Sequence, residues 1–99
     1  MRKSGLVRML ELDRIRMMKG AMKLVEVCAG VKKGENVLIV TDTKKVPIAE
    51  VLAAAAYNKE AEATIIIMTP RKVHGEDPPK TVAAAMKEAD VIFSPTTYS

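Results

Sequence analysis

Aromatic residues are nearly missing from this chain, which has two tyrosines, one phenylalanine and no tryptophan among its 99 residues. Proteins that bind nucleic acids often combine clustered basic residues with aromatic side chains on which bases stack. The lysines and arginines here are spread along the sequence without such a platform, so the net charge of +4 does not predict nucleic-acid binding. Anionic small molecules and peptides remain compatible with that charge.

Cysteine and long apolar runs are also scarce. Cys28 is the only cysteine, so it cannot form an internal disulfide. The amphipathic pattern around it predicts a small buried side chain, since a reactive thiol would need a nearby His or Cys. Arg8 and Glu11 interrupt the apolar segment that a signal peptide requires, and no run is long enough to span a membrane. We therefore expect a cytoplasmic protein with no membrane partner.

Glycine is absent from the first predicted junction between a strand and a helix. Residues 41–47 contain none, which excludes the usual dinucleotide fingerprint and the usual P-loop. Asp42 lies where some α/β phosphotransferases keep a nucleophilic or magnesium-binding aspartate. Such sites need a second acid nearby, and position 44 is lysine. Anion binding at the start of the next helix, beside Lys44 and Lys45, is physically allowed but unspecific.

Residues that ligate metals are few. His74 is the only histidine, and it forms the only His–carboxylate cluster together with Glu76 and Asp77. A zinc site needs three or four converging ligands, and neighbours in one loop seldom converge unaided. Asp77 also suits the N-cap of the next helix, ahead of Pro78 at its first position. We therefore predict no complete metal site in this chain.

What the chain does contain is an alternation of helical and strand-like segments. Three segments are apolar without alternation, which is typical of strands buried on both faces of a parallel sheet; they span residues 36–40, 63–68 and 91–93. A long helix over residues 6–29, closed by Gly30, precedes them. Two further helices, starting near Pro47 and Pro78, separate them. The expected fold is a three-layer α/β structure, Rossmann-like or flavodoxin-like, with a partial parallel sheet of three strands.

The order of the three strands is open at this stage. Crossovers between parallel strands are almost always right-handed. A central first strand would therefore place one crossover helix on each face, whereas sequential order would crowd both helices onto one face. The apolar character of the strands on both faces favours the first arrangement. The second strand would then be an exposed edge, which indicates that more chain or a partner belongs there.

Polar side chains follow each predicted strand. In open α/β sheets, ligands bind beyond the carboxyl ends of the strands. The residues placed there are Thr41, Asp42 and Thr43, then Thr69 and Arg71, then Ser94, Thr96 and Thr97. They form a candidate pocket rim, although turn formation and helix capping explain the same residue types. Because the chain stops just after the third strand, we expect it to be the first half of a larger α/β protein.

Several segments together resemble a known enzyme family. They are Lys23-Leu24-Val25-Glu26-Val27-Cys28, residues 32–43, Pro47-Ile48-Ala49, residues 71–79 and residues 94–99. From about residue 20 to 99 the chain resembles the N-terminal domain of the thermophilic metallo-aminopeptidases, the group containing aminopeptidases T and S. The wider group includes a ring-cleaving dihydroxypyridine dioxygenase. The most specific parts of the resemblance are His-Gly-Glu-Asp-Pro-Pro at residues 74–79 and the Pro-Thr-Thr ending. Residues 1–19, an N-terminal helical extension, match the family poorly.

The resemblance implies a function that this chain would not perform alone. Aminopeptidases of this family remove N-terminal residues from peptides with a pair of divalent metals (zinc, cobalt or magnesium), and they are typically homodimers. Their metal ligands lie in a C-terminal catalytic domain downstream of residue 99. No catalytic, cofactor-binding or metal-binding residue is therefore assigned here. The positions expected to face the cleft between the domains are Asp42, Arg71, His74, Thr96 and Thr97.

Two other functions remain open. The dioxygenase branch shares the same segments, and these residues do not separate it from the peptidases. A stand-alone module that captures a small anion at the strand ends is the alternative from a different class, and it would bind its ligand without a metal.

Overall fold

The computed structural model describes the backbone of residues 5–71 and 77–97, and the side chains of residues 14–71 and 77–97. In chain order the helices and strands are α1 (Gly5–Lys23), which continues into a π-helical turn (Leu24–Cys28), β1 (Asn36–Asp42), α2 (Val46–Asn58), β2 (Glu62–Met68), α3 (Lys80–Glu88) and β3 (Val91–Phe93). The expected alternation of helices and strands is confirmed. None of the described helices combines the length and the apolar character needed to cross a membrane.

The three strands form one parallel sheet in the order β2-β1-β3. Ile39 in the middle of β1 pairs with Ile65 of β2 and with Phe93 of β3. The arrangement with the first strand at the centre is thus confirmed. Because β1 has a neighbour on each side and helices on each face, every residue from Val37 to Asp42 is buried. The flanking strands are only partly buried.

The two faces of the sheet support separate apolar clusters. Side chains alternate along a strand, so Val37 and Ile39 point to one face and Leu38 and Val40 to the other. The first pair packs with residues of α1, the π-helical turn and α2, and the second pair packs with Val82 and its neighbours in α3. This division gives the expected three layers: two helices, the sheet, and one helix.

The end of the first helix differs from the prediction at Cys28, whose side chain is exposed rather than buried. The last five helical residues form a π-helical turn, in which hydrogen bonds run from residue i to i+5. This winding holds more residues per turn than an α-helix, so Cys28 rotates away from the buried stripe that contains Ala21 and Val25. Gly30 follows with φ of 59°, as expected for a residue just past the helix end.

The start of α3 also differs from the prediction. Asp77 is not its N-cap, because the helix begins at Lys80 and Pro79 occupies the capping position with ψ of 152°. A residue that precedes a proline is disfavoured in the helical conformation, which explains why the helix does not begin at Pro78. The helix begins two residues later, at Lys80.

Candidate functional site

The carboxyl edge of the sheet centres on the last two residues of β1. Thr41 and Asp42 are both buried, and Asp42 is only 1% exposed. They are the two polar residues in the buried core of the described chain. Since successive strand residues point to opposite faces, the Thr41 hydroxyl and the Asp42 carboxylate lie on opposite sides of the sheet. A buried carboxylate is costly unless its oxygens accept hydrogen bonds, so its partners determine what Asp42 can do.

Both carboxylate oxygens of Asp42 accept hydrogen bonds from backbone N–H groups. Oδ1 accepts one from Lys44 at 2.9 Å, which makes a local turn of the kind that aspartate favours at strand ends. Oδ2 accepts one from Thr97 at 2.5 Å, across 55 residues of sequence. The Asp42 carbonyl also accepts the N–H of Lys45 at 3.1 Å. Asp42 therefore connects the start of the crossover to the segment after β3.

These contacts keep Asp42 ionised. Burial alone would raise the pKa of its carboxyl group, but the Thr97 N–H, the Thr97 side chain and the N–H groups of Lys44 and Lys45 outweigh it. The net effect holds the pKa of Asp42 below that of an ordinary aspartate. The Thr97 hydroxyl acts by its proximity to the carboxylate, because its geometry does not complete a full hydrogen bond.

A second contact fastens the same segment to β1. The Thr41 hydroxyl donates to the Pro95 carbonyl oxygen at 2.9 Å. Thr41 and Asp42 thus hold residues 95–97 from the two faces of the central strand. Pro95, Thr96 and Thr97 are all half-buried as a result. The sequence placed Thr41 and Asp42 on the rim of a pocket, but in the structure both side chains bind the segment that follows β3.

Arg71 lies at the beginning of the connection between β2 and α3. Its guanidinium donates to the Asp77 carbonyl oxygen at 2.6 Å, so it spans the two ends of residues 72–76. The side chain is half-buried. His74 lies outside the described residues, and its predicted position is not tested. The prediction that Asp42, Arg71, His74, Thr96 and Thr97 face a cleft between domains stays a prediction.

The described residues do not offer a metal site. No three His, Cys, Asp or Glu side chains converge within the part of the chain that the structure describes. Asp42, the one acid at the centre of the carboxyl edge, already accepts an N–H on each oxygen. The metal implied by the resemblance would therefore need ligands other than these, and we derive no catalytic step through it.

Sequence reasoning identified Asp42, Thr41 and Thr97 as neighbours at the strand ends, but it missed how they interact. The partner of Thr41 is a backbone carbonyl, and the partners of Asp42 are backbone N–H groups. Every residue has a backbone carbonyl and, except for proline, a backbone N–H, so residue types do not predict which backbone groups will be the partners. The aspartate at the end of an apolar strand, two residues before Lys44, was the available signal for a local turn.

A comparison of the chain with known proteins finds neither a matching protein-family model nor a matching curated protein. The family resemblance described above therefore remains a hypothesis about this sequence.

Proposed function

We propose that this chain is the N-terminal α/β domain of a cytoplasmic, metal-dependent aminopeptidase of the leucyl aminopeptidase type, inactive by itself. In the full-length protein it would pack against a C-terminal catalytic domain and wall the cleft that receives the N-terminus of a peptide. The observation that carries the proposal is the combination of residues 74–79 with the Pro-Thr-Thr ending. The proposed full-length enzyme would be a homodimer and would hold its divalent metals in the catalytic domain.

The geometry of the carboxyl edge supports a scaffolding role for the described residues. Asp42 and Thr41 engage their polar atoms within the domain, where they fix the segment that leaves the sheet after β3. A domain that walls a cleft needs a rigid surface more than reactive groups of its own, because positioning depends on side chains held by packing and hydrogen bonds.

The same geometry disfavours the stand-alone anion-binding module. An anion at the start of α2 would need backbone N–H groups that are free to donate to it. The Lys44 N–H already donates to the Asp42 carboxylate, and the Lys45 N–H already donates to the Asp42 carbonyl oxygen. An incoming anion would also lie near the ionised Asp42 carboxylate, whose negative charge opposes the attraction of Lys44 and Lys45.

The test begins with the native gene product in its source cells. We expect a mass several-fold above 10.8 kDa. The purified product should release the amino acid from a leucine arylamide, lose activity with a chelator, and regain it with zinc, cobalt or magnesium. Ring cleavage of a dihydroxypyridine instead would assign the dioxygenase branch. A native product of 10.8 kDa without peptidase activity would refute the proposal.

A further inference from the structure

An apolar groove of about 330 Å³ lies between the first two helices and is open to solvent. Its side chains come from Met17 and Ala21 of α1, Leu24 of the π-helical turn, and Ile48, Val51 and Leu52 of α2. Ala21, Val51 and Leu52 are buried, whereas Leu24 and Ile48 remain 45% and 38% exposed. Exposed apolar surface of this kind often marks an interaction site. We call this surface the α1–α2 groove.

A row of basic side chains runs along α1 beside the α1–α2 groove. Arg16, Lys19 and Lys23, which we call the basic row, are exposed and line a second concavity. Their spacing of three and four residues puts them on one face of the helix. Gly20 borders both concavities, so the basic row and the apolar groove are adjacent. Over residues 14–25 the helix has four basic residues and no acidic one.

The charge of the basic row is not neutralised within the described structure. No ion pair joins Arg16, Lys19 or Lys23 to another described side chain. Glu26, which also lines the second concavity, is paired with Lys59 at 3.7 Å. The surface is therefore complementary to a partner that carries apolar and anionic groups side by side.

We propose that the α1–α2 groove binds an acidic amphipathic helix of another protein, with its apolar side chains in the groove and its carboxylates against the basic row. At 1.5 Å per residue, the row is about 10 Å long from Arg16 to Lys23. That length matches several carboxylates spaced three or four residues apart on one helix. A fatty acid has a single carboxylate and would engage only part of the row. This inference stands apart from the proposed peptidase function.

The shape of the surface favours a helix over an anionic membrane. Helices that lie on membranes insert one continuous apolar face among the lipid headgroups. Ile15 and Val27, which are 69% and 74% exposed, lie near opposite ends of the described helix and form no such face. The α1–α2 groove is instead recessed between two helices, and a recess accepts the ridge of apolar side chains on a partner helix.

Gly20 allows the partner to approach closely. Apart from the backbone of its own helix, a Cβ at this position would meet no heavy atom within 4 Å. Glycine inside a helix costs about 1 kcal/mol relative to alanine, and nothing within the domain requires its small size here. Close approach of another backbone is a common use of glycine. The position of Gly20, between the groove and the basic row, is where such an approach would occur.

Fluorescence anisotropy with the full chain tests the proposal. The probe is a labelled synthetic peptide of about 18 residues, with leucines at helical spacing on one face and glutamates on the face beside it. We expect a dissociation constant below about 100 µM at low salt, and several-fold weaker binding at high salt because exposed charges are screened. The same peptide with lysine in place of each glutamate should bind at least about tenfold more weakly.

Lys19→Glu tests the basic row. It should raise the dissociation constant about threefold to tenfold, because it replaces an attraction with a repulsion. Lys80→Glu is the matched control, since it makes the same change at an exposed lysine in the first turn of α3, on the other face of the sheet. Its dissociation constant should stay within about twofold of the unmodified chain.

Ile48→Asp tests the groove. It should raise the dissociation constant about tenfold or more, because it places a carboxylate among apolar side chains. The first turn of a helix favours a negative charge, so α2 should tolerate the change. Ile92→Asp is the matched control: Ile92 is 40% exposed and lies on the α3 face of the sheet. If Ile48→Asp fails to fold by circular dichroism, Ile48→Ala replaces it, with an expected effect of about threefold.

Gly20→Gln separates binding from folding. Glutamine favours the helix over glycine, so the variant should be at least as stable as the unmodified chain. Its side chain would nevertheless occupy the place where the partner approaches. We expect the dissociation constant to rise at least about threefold. Weaker binding by a chain of unreduced stability cannot result from misfolding.

Three results would overturn the proposal. One is no binding of the acidic peptide at concentrations up to about 1 mM. Another is a control variant, Lys80→Glu or Ile92→Asp, that weakens binding as strongly as Lys19→Glu or Ile48→Asp. The third is binding to vesicles of phosphatidylserine and phosphatidylcholine, lost in Lys19→Glu, without binding to the peptide, which would assign the surface to a membrane. None of these results bears on leucine arylamide hydrolysis, so the two proposals fail separately.

Discussion

Two aspartates hold β3 against β1, one at each end of the sheet, and they differ in burial. At the carboxyl end, Asp42 of β1 is buried and accepts the Thr97 N–H after β3. At the amino end, Asp90 before β3 is exposed, accepts the Asn36 N–H at 2.7 Å, and donates its own N–H to the Asn36 carbonyl at 2.8 Å. The hydrogen-bond chemistry is the same at both ends.

The difference shows where hydrogen bonds determine stability. Water can replace the partner of an exposed group such as Asp90, so losing the bond costs little. A buried group that loses its partner keeps its desolvation penalty, which is larger for a charge. We therefore expect the carboxyl end to depend on its side chains far more than the amino end does.

The largest expected effect is that of Asp42→Ala. Removing the carboxylate leaves the N–H groups of Lys44 and Thr97 without their acceptors and removes charge-assisted bonds. We expect the free energy of unfolding to fall by about 3 kcal/mol, measured by urea denaturation. Asp42→Asn keeps the shape and one acceptor oxygen, so it should lose less. Equal stability of Asp42→Ala and the unmodified chain would contradict the structural role of this carboxylate.

Acid should weaken the carboxyl end through the same group. The pKa of Asp42 in the folded state lies below that of an ordinary aspartate, so the unfolded state binds more protons between the two values. The contribution of Asp42 is therefore present above its unfolded pKa and is lost as the pH falls through its folded pKa. Denaturation midpoints below about pH 5 should fall less steeply in Asp42→Asn than in the unmodified chain. Identical slopes would show that Asp42 does not titrate with folding.

A smaller effect is expected at the other face of the same strand. Thr41→Val keeps the size of the side chain but removes the hydroxyl that donates to the Pro95 carbonyl. We expect a loss of about 1 kcal/mol in the free energy of unfolding, because a neutral hydrogen bond contributes less than a charged one. Thr41→Ser keeps the hydroxyl and separates its effect from that of packing. The expectation fails if Thr41→Val is no less stable than Thr41→Ser.

The smallest effect should come from the amino end. Asp90→Ala removes the side-chain acceptor of the Asn36 N–H, but water can reach both groups because both residues are exposed. We expect a loss of about 0.5 kcal/mol, measured in the same denaturation experiment. A loss as large as that of Asp42→Ala would overturn the comparison between the two ends.

The three apolar segments predicted the three strands, and their apolar character on both faces favoured a central β1, which the structure confirms. Burial on both faces holds for β1, whereas β2 and β3 are edge strands of the described sheet and are only partly buried. The predictions were wrong at two places where the backbone conformation departed from what the residue pattern indicated. The π-helical turn exposed Cys28, and α3 begins at Lys80 rather than next to Asp77. Helical spacing does not predict a π-helical turn, and the capping preference of a single residue does not predict the later start of α3.

The position of the candidate site could be predicted from the sequence, but the hydrogen bonds between its residues could not. Strand ends of a parallel sheet meet at one edge, so Asp42 and Thr97 could be placed there together from their positions in the sequence. Whether their polar atoms face a ligand or each other depends on the path of the chain after β3. That path brings the Thr97 N–H to the Asp42 carboxylate.

The sequence by itself determined the parallel α/β class, the order of the helices and strands, and the apolar groups that build the two clusters, because these depend on local periodicity and burial. Only the tertiary structure decided that Asp42 and Thr41 fasten the end of the sheet. This feature arises because backbone groups of residues 95 and 97 are brought to these two side chains across a long separation in sequence. Every residue type carries the same backbone donor and acceptor, apart from the N–H that proline lacks, so residue types alone do not specify such contacts.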